Sequence, residues 1–335
     1  MFTITLDAAA LEKLISAAVA APSLHNSQPW RFRLCPETST LEVRAARERA
    51  VPATDPQGRA LHISVGAAVL NLRTAARHLG WAPEVRLLPD PGEPDLLATV
   101  ELDQPSQVHL APTSALYDAI WHRHTIRTPF SGAPIPATVL DQLAEAARIE
   151  EALLVFPDHA ERERLLSLTA EAERRSTTDP ERRAESRAWI QGPDAAPYGI
   201  PSAALGPQDA TGHLPMRDFS AIRPAEHLPP AEFEAEPCLA VLATEHDRPV
   251  DWLRAGLALE HVLLMATVHD VRASLLHQAL EWPSLRWEAR DPELRPGFVQ
   301  MVLRLGYGRE GTATPRLAVS DVVDAAEPAE ESVGR

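Results

Sequence analysis

The turn at residues 21–30, APSLHNSQPW, holds five hydrogen-bonding side chains between two prolines and ends on Trp30. Ser and Asn side chains often cap a chain reversal, because they bond to nearby backbone groups. Five polar side chains in a rigid turn are more than a reversal requires. The pattern therefore favours a functional site at this turn.

The second candidate is the basic segment 119–130, AIWHRHTIRTPF, in a chain whose net charge is −15. The segment and the residues after it contain no acid before Asp141, so an anion would meet local positive charge there. Arg123 and Arg127 stand at helical i, i+4 spacing with Thr125 between them. Two guanidinium groups and a hydroxyl suit a phosphate. A solvated helix end with surface arginines is the alternative.

Two further patterns fail when their context is considered. His122 and His124 could ligate a metal, but no carboxylate or cysteine lies nearby and the arginines oppose a cation, so we predict no metal. Residues 306–311, GYGREG, have the Gly-x-Gly-x-x-Gly spacing of a dinucleotide site. That site needs a helix directly after the glycines, and the next residues, which include Pro315, have no helical period. We therefore predict that residues 306–311 form a turn after a strand, not a dinucleotide site.

Composition limits the possible partners. The chain has 335 residues, 45% of them hydrophobic, which is enough for one large domain or two smaller ones. Its 32 basic and 47 acidic residues argue against nucleic acid or an anionic membrane, since both need a broad basic face. We identify no membrane span and no signal peptide, and Cys35 and Cys238 are too few for a disulfide framework. These features predict a cytoplasmic protein.

Hydrophobic spacing predicts the elements that position these segments. A first helix, capped by Asp7 and ended by Pro22, has its apolar residues on one face. Two helices rich in Ala and Leu, from about Ile63 to Leu79 and from about Leu253 to His269, are predicted to be buried. Period-two or apolar runs predict six strands: Arg31–Leu34, Leu41–Arg44, Val85–Leu88, Leu97–Leu102, Leu239–Thr244 and Gln300–Leu305.

Two spacings indicate an internal repeat. The apolar pattern of the first helix recurs at an offset of 129 residues, around Leu140 and Leu143, and Gly66 recurs at an offset of 190, as Gly256. The offsets differ by 61 residues, which predicts an insertion of that length in the second copy. The Pro- and Gly-rich stretch 191–219 is its expected place. Spacing alone leaves chance similarity open, because the chain is rich in Ala.

Both candidate motifs resemble those of the flavin-dependent nitroreductase family. APSLHNSQPWRF is similar to that family's Pro-Ser-x-x-Asn-x-Gln-Pro-Trp motif, and HRHTIRTPF is similar to its Arg-Arg-Ser-x-Arg-x-Phe motif. In ordinary members the arginine motif comes first, and each FMN of a dimer is bound by one motif from each subunit. Here the order is reversed, which resembles the single-chain branch typified by the mycobacterial Acg proteins.

The resemblance implies an α+β, nitroreductase-like fold with three layers, α/β/α, built from two tandem degenerate halves that form a pseudo-dimer. The halves would span residues 1–111 and 112–335, with a lid insertion at about 190–230. One composite FMN site would remain in the chain. Internal pairing removes the usual reason to dimerise, and this favours a monomer.

The resemblance also implies which residues bind the phosphate of FMN. Arg123, Thr125 and Arg127 would hold it, with Thr125 in the place of the usual Ser. Arg316 would stand where the family has a basic residue.

The remaining contacts to FMN would come from the first half. Ser23, His25 and Asn26 would contact the ribityl chain, the phosphate or the ring edge, and His25 replaces a residue that is small in dimeric relatives. Backbone amides near flavin N5 would come from about Val85–Leu87. No catalytic side chain is predicted, because the flavin carries the hydride chemistry.

Three functions follow for the chain. The first is an FMN enzyme that takes hydride from NADH or NADPH and reduces a nitroaromatic, quinone or similar small-molecule acceptor by ping-pong kinetics. The second is an FMN storage or sequestration protein whose lid prevents turnover. The third, a protein without cofactor, is disfavoured because both motifs of one site are retained. The sequence does not determine the substrate or the choice of nicotinamide.

Overall fold

The computed structural model describes residues 6–103, 114–191, 196–218, 229–290 and 297–324. The predicted boundary between the halves, at residues 111 and 112, lies outside these ranges, as do residues 192–195 and 219–228 of the predicted lid insertion. Within the described residues the chain forms two antiparallel four-stranded sheets, one short parallel pair of strands and nine α-helices.

The first sheet, sheet A, belongs to the first part of the chain and has the strand order β1-β2-β4-β3. The elements of this part are α1 (Ala8–Val19), β1 (Trp30–Cys35), β2 (Thr40–Ala45), α2 (Arg59–His78), β3 (Ala82–Leu87) and β4 (Leu96–Asp103).

The second sheet, sheet B, has the order β5-β8-β10-β9. The elements of the second part are α3 (Ser114–His122), α4 (Ala137–Ile149), β5 (Leu153–Val155), α5 (His159–Thr178), α6 (Pro180–Ala188), β6 (Ile190–Gln191), β7 (Ile200–Pro201), β8 (Cys238–Thr244), α7 (Pro249–Val268), β9 (Arg272–Leu275), α8 (Pro283–Glu288), β10 (Phe298–Gly306) and α9 (Val319–Val322).

The two parts repeat one arrangement. In chain order, α1, β1, β2, α2, β3 and β4 correspond to α4, β5, β8, α7, β9 and β10, and the corresponding strands occupy the same positions in their sheets. Helices α2 and α7 both have 20 residues, and they begin at Arg59 and Pro249, an offset of 190. The prediction of two tandem nitroreductase-like halves in an α+β chain is therefore confirmed.

Helices α2 and α7 pack against each other at a pair of glycines. A Cβ on Gly66 would lie 2.2 Å from the carbonyl oxygen of Leu253, and a Cβ on Gly256 would lie 2.1 Å from that of Ile63. The two contacts are equivalent at the offset of 190, so a local two-fold axis passes between the glycines. Because Ile63 meets Gly256 while Gly66 meets Leu253, the helices run in opposite directions.

Sheet B lies between two helical layers. Along β8, Ala240 and Leu242 belong to the core that α4 and α7 form with this sheet. Leu239 and Val241 point the other way, into a second core with Leu165 and other residues of α5. Both faces are buried, which explains why β8 is a continuous apolar run. The predicted three-layer α/β/α arrangement is present here.

Within the described ranges, sheet A has helices on one face only. Leu41 and Val43 of β2 belong to the core beneath α1 and α2. On the opposite face, the carboxylate of Glu42 accepts hydrogen bonds of 2.9 Å from Arg33 and Arg44. This alternation of apolar and charged residues is typical of a sheet with one solvated face, so the first half has two layers.

The inserted segment, which we define as residues 156–237 between β5 and β8, replaces the short turn that joins β1 to β2. It contains helices α5 and α6, which the sequence analysis did not predict. Helix α5 has few apolar residues; the side chain of Asp158 caps it, and surface pairs such as Arg175 with Glu171 support it. Charge pairs of this kind give little hydrophobic periodicity.

None of the described helices combines the length and the apolar composition that crossing a membrane requires.

Candidate active site

A cavity of about 340 Å³ lies between the two halves, at the low end of the volumes of small-molecule sites. Residues of both candidate motifs, of α2, of β9, of the inserted segment and of the segment after β10 line it. All seven residues predicted to bind the cofactor contribute to its wall: Ser23, His25, Asn26, Arg123, Thr125, Arg127 and Arg316.

The proline-bracketed turn enters the cavity in a strained conformation. His25, Asn26 and Gln28 have φ of 54°, 54° and 53°, in the left-handed region that residues other than glycine rarely adopt. The hydroxyl of Ser23 accepts a hydrogen bond of 2.9 Å from the backbone of Gln28 and helps to hold this shape. Strain of this kind collects at functional sites, where it positions side chains.

Asn26 joins three parts of the chain. Its side-chain amide donates to the carbonyl oxygens of Gly199 and Pro315, both at 2.9 Å, and its side-chain oxygen accepts from Arg316 at 2.9 Å. The side chain of Gln28 donates to the carbonyl of Pro197 at 2.8 Å. The turn is therefore the surface on which the inserted segment and the segment after β10 meet.

The arginine segment is extended, not helical as its i, i+4 spacing predicts. Helix α3 ends at His122, and Thr125 pairs with Ala273 of β9 in a parallel bridge. Residues i, i+2 and i+4 of an extended chain point the same way. Arg123 and Arg127 therefore still reach the cavity together with Thr125. The segment is extended because its pairing with β9 takes it out of α3.

The glycines of GYGREG make room for this segment. A Cβ on Gly306 would lie 2.7 Å from the ring of Phe130, and a Cβ on Gly311 would lie 2.4 Å from Cδ1 of Ile126. No helix follows directly, as predicted, and the next one is α9. The glycine spacing therefore reflects close packing against the arginine segment.

Buried arginines make one end of the cavity positive. Arg123 and Arg316 both donate to the carbonyl oxygen of Ala20, at 3.2 and 3.1 Å. Burial, followed by the charge of Arg123, lowers the pKa of Arg316 to about 9. Burial, followed by the charge of Arg217, lowers the pKa of Arg127 to about 10. Buried cations that lie close to other cations attract an anion.

Two buried histidines add neutral polar groups. Burial, together with the charges of Arg217 and Arg127, lowers the pKa of His25 and of His277 well below the usual value. Among the described residues, Nε2 of His25 and Nδ1 of His277 have no hydrogen-bond partner, while Nε2 of His277 lies 3.2 Å from Oε1 of Glu281. Buried polar atoms of this kind call for a polar ligand or water. His124 also lines the cavity, and the described residues contain no cluster of three or more potential metal ligands.

The expectation that Val85–Leu87 approach the site is wrong. These residues lie in the edge strand β3 and do not line the cavity. Their equivalents at the offset of 190 do line it: Leu275, Leu276 and His277. Because α2 and α7 run in opposite directions, β9, which follows α7, lies beside the first turns of α2, whereas β3 lies at the far end. The offset of 190 between the two halves could have located these residues from the sequence.

Relatives in sequence extend over nearly the whole chain. The chain is 32% identical over 328 residues to a protein of Mycobacterium tuberculosis named "Putative NAD(P)H nitroreductase", with 95% of this chain and 92% of the relative covered. It is 28% identical over 322 residues to another from the same organism, "Putative NAD(P)H nitroreductase acg", with 93% and 94% covered. No family model matches the chain.

Solved structures of similar fold cover about two thirds of the chain. One is a nitroreductase with bound FMN from Desulfitobacterium hafniense, 12% identical, covering 64% of this chain and 99% of its own, with a TM-score of 0.40. Another is the FMN-dependent nitroreductase NfnB of Mycobacterium smegmatis in complex with NADPH, 14% identical, covering 65% and 100%, with a TM-score of 0.39.

The two-sheet α+β fold, with both motifs lining one cavity, is of the nitroreductase type. The extent and identity of the sequence relatives carry the assignment further: the chain belongs to the family of the Acg-like NAD(P)H nitroreductases.

Proposed function

We propose that this chain is an FMN-dependent oxidoreductase that oxidises NADH or NADPH and reduces a nitroaromatic, a quinone or a similar small acceptor. One observation carries the proposal: the turn of the first half and the arginine segment of the second half, about a hundred residues apart, line one cavity. Relatives named as NAD(P)H nitroreductases support the reaction class.

The residues of the cavity fit FMN. Its phosphate needs cations and a hydroxyl, which Arg123, Arg127, Arg316 and Thr125 provide at one end. Its polar ring edge and ribityl chain need hydrogen-bonding groups, and the unpartnered nitrogen of His25 is one of several that the cavity contains. Ser23 and Asn26 lie on the same turn.

When bound, FMN would accept and return the hydride, while the protein supplies position and electrostatics. The chain's own residues would neutralise the phosphate, hold the ring between apolar side chains, and exclude water from it. Leu259, Leu275 and Met301 provide apolar surface in the cavity. No acid or base among the described residues is assigned to the hydride step.

We propose further that the two halves act as a pseudo-dimer within one chain, divided near residues 111 and 112. The paired helices α2 and α7 would take the place of a dimer interface. Each half then contributes one motif to the single cofactor site, so the chain would function as a monomer.

One observation favours a second candidate, FMN storage or sequestration. The inserted segment lies over the motifs: the side chain of Arg127 donates to the carbonyl of Ala204 at 2.9 Å, and Gly206 packs directly against Arg127. Ile200, Leu205 and Met216 of the same segment line the cavity. A lid held in this way would restrict the access of nicotinamide to the flavin.

Anaerobic titration of the flavin-loaded protein tests the proposal and separates the two candidates. We expect a yellow protein whose flavin absorbance bleaches when NADPH or NADH is added, and recovers when a quinone or nitroaromatic follows. Dithionite serves as the control reductant, because it does not need a nicotinamide site.

Reduction by dithionite but not by either nicotinamide would contradict the enzyme and support sequestration. A colourless protein that does not take up added FMN would contradict both candidates.

A further inference from the structure

The buried carboxylate of Glu260 has no role in the function proposed above. It lies on α7 and is 0% exposed, in a helix face that is otherwise apolar. Its oxygens make no hydrogen bond of good geometry among the described residues, and their polar neighbours are the side chains of Asn71 and Arg123. A buried carboxylate with such loose contacts is costly, so its presence needs an explanation.

Glu260 lies next to Arg123, one of the arginines that line the cavity. Its Oε1 is 3.4 Å from Nε of Arg123, and both side chains are almost fully buried. A side-chain hydrogen bond with Asn71 of α2 and the charge of Arg316 also favour its ionised form. Glu260 itself does not line the cavity. It is therefore a counter-ion of Arg123 that is not itself part of the cavity wall.

Opposing effects act on the ionisation of the Glu260 carboxyl group. Burial raises the pKa of its carboxyl group to about 7, against the opposing effects of Arg123, of the hydrogen bond with Asn71 and, more weakly, of Arg316. A phosphate dianion beside these arginines would offset the positive field that keeps the carboxyl ionised. The pKa of Glu260 then rises further, and the protonated form becomes the stable one near neutral pH.

We propose that Glu260 is a positioning residue that holds Arg123 before a phosphate binds, and that its carboxylate takes up one proton from solvent when dianionic phosphate binds. The proton forms the carboxyl O–H, and no other bond changes. This inference rests on the proposed function, since the ligand is the phosphate group of FMN. It predicts that FMN binding, unlike riboflavin binding, is coupled to proton uptake.

Calorimetric titration of the cofactor-free protein with FMN, in two buffers of different ionisation enthalpy, measures this uptake. At about pH 8 the phosphate is already dianionic, since its second pKa is about 6. His25, His124 and His277, whose pKa burial lowers, are neutral there, and Arg316 is charged. Glu281 lines the cavity and burial also raises the pKa of its carboxyl group, so the Glu260→Gln variant decides which of the two carboxyl groups takes up the proton.

We expect uptake of close to one proton per FMN at about pH 8 and about half a proton at about pH 7. The affinity for FMN then falls about threefold per pH unit near pH 7 and close to tenfold per pH unit above about pH 8, because the bound state holds more protons. Riboflavin, which lacks the phosphate, should bind without uptake. This comparison needs no variant, so it stands even where a substitution impairs folding.

Glu260→Gln should abolish the uptake. The control is Glu150→Gln, because Glu150 is also a buried carboxylate that contacts α7, through His261 at 2.9 Å, but does not line the cavity. The Glu150→Gln variant should take up as many protons per bound FMN as the parent protein.

Two results would overturn the inference: FMN binding without proton uptake at about pH 8, or uptake that Glu260→Gln retains. Failure of the parent protein to bind FMN at all would overturn the proposed function together with the inference, so the two failures are distinguishable.

Discussion

The arginines at the cavity come from two separate regions of the chain and repel one another. Arg123 and Arg127 follow α3, and Arg316 follows β10. Burial lowers the pKa of Arg127 and of Arg316, and the neighbouring charges of Arg217 and Arg123, respectively, lower it further. Buried cations are stabilised when an anion binds beside them. The arginines therefore identify the site more clearly than the apolar lining does.

Replacing two of these arginines should remove the flavin. Hydrogen bonds to a charged group contribute about 1.5–3 kcal/mol each. Arg123→Ala combined with Arg127→Ala should therefore weaken FMN binding by at least about 100-fold and yield colourless protein. The measurement is the flavin absorbance per protein after purification, followed by titration with FMN.

Arg127→Ala alone is the second variant, because loss of Arg123 also leaves Glu260 without its cation. Arg148→Ala is the control, since Arg148 is exposed and pairs only locally with Glu145. Full flavin occupancy in the double variant would refute the assignment of the phosphate site.

At the scale of the elements, the crossing of α2 and α7 decides the geometry of the site. Gly66 and Gly256 allow the two helix backbones to touch, which brings the first turns of α2 beside β9. Any side chain at either glycine would push the helices apart. Because the cavity lies between the halves, the crossing also sets its width.

Gly66→Ala and Gly256→Ala should each destabilise the protein. Alanine favours a helix by about 1 kcal/mol, but overpacking of a tight contact commonly costs about 1–3 kcal/mol, and here the new Cβ would overlap a backbone oxygen. We expect a net loss of stability, measured by chemical denaturation, of similar size for the two equivalent positions.

Gly132→Ala is the matched control. A Cβ there would have nothing within 4 Å, so its stability should stay within about 0.5 kcal/mol of the parent. Equal stability of all three variants would show that the helices do not pack as closely as described.

At the scale of the whole molecule, the surfaces that a nitroreductase subunit could use for pairing are already covered. The apolar seam of α2 with α7 is internal, and the outer face of sheet B is covered by α5. The outer face of sheet A carries the charged network around Glu42. The net charge of −15 further opposes self-association.

The protein should therefore sediment as a monomer of 36.6 kDa at micromolar concentration and moderate salt. Analytical ultracentrifugation over a range of concentrations is the measurement. A species of twice that mass that persists on dilution would contradict the proposal that the internal pairing replaces a dimer.

Several features of the fold could be predicted from local pattern. The two long helices were visible as runs of Ala and Leu, and their offset of 190 is also the offset of the glycines at their crossing. Six strands of the two sheets followed from alternation or from apolar runs, whereas β5 and β9 were not predicted. Helix α5 was missed because charge pairs, not an apolar stripe, dominate its sequence.

The site was predictable in its residues but not in its geometry. Arg123 and Arg127 were assigned to a helix because the spacing i, i+4 suits one, and only the bridge from Thr125 to β9 makes the segment extended. The backbone contacts to flavin N5 were predicted in the wrong half, at Val85–Leu87. The reason is that the relative direction of α2 and α7 is not visible in the sequence. Glu260 was missed, although it is the only charged residue between Arg254 and Asp270.

The sequence by itself determined the two motifs, the repeat and the elements, because hydrophobic period, proline and glycine placement and local charge act over a few residues. The tertiary structure decided which strand lies beside the cavity, which helices cross, and that Glu260 lies next to Arg123. Those relations depend on contacts between residues more than a hundred positions apart, and packing energy selects them only in the folded chain.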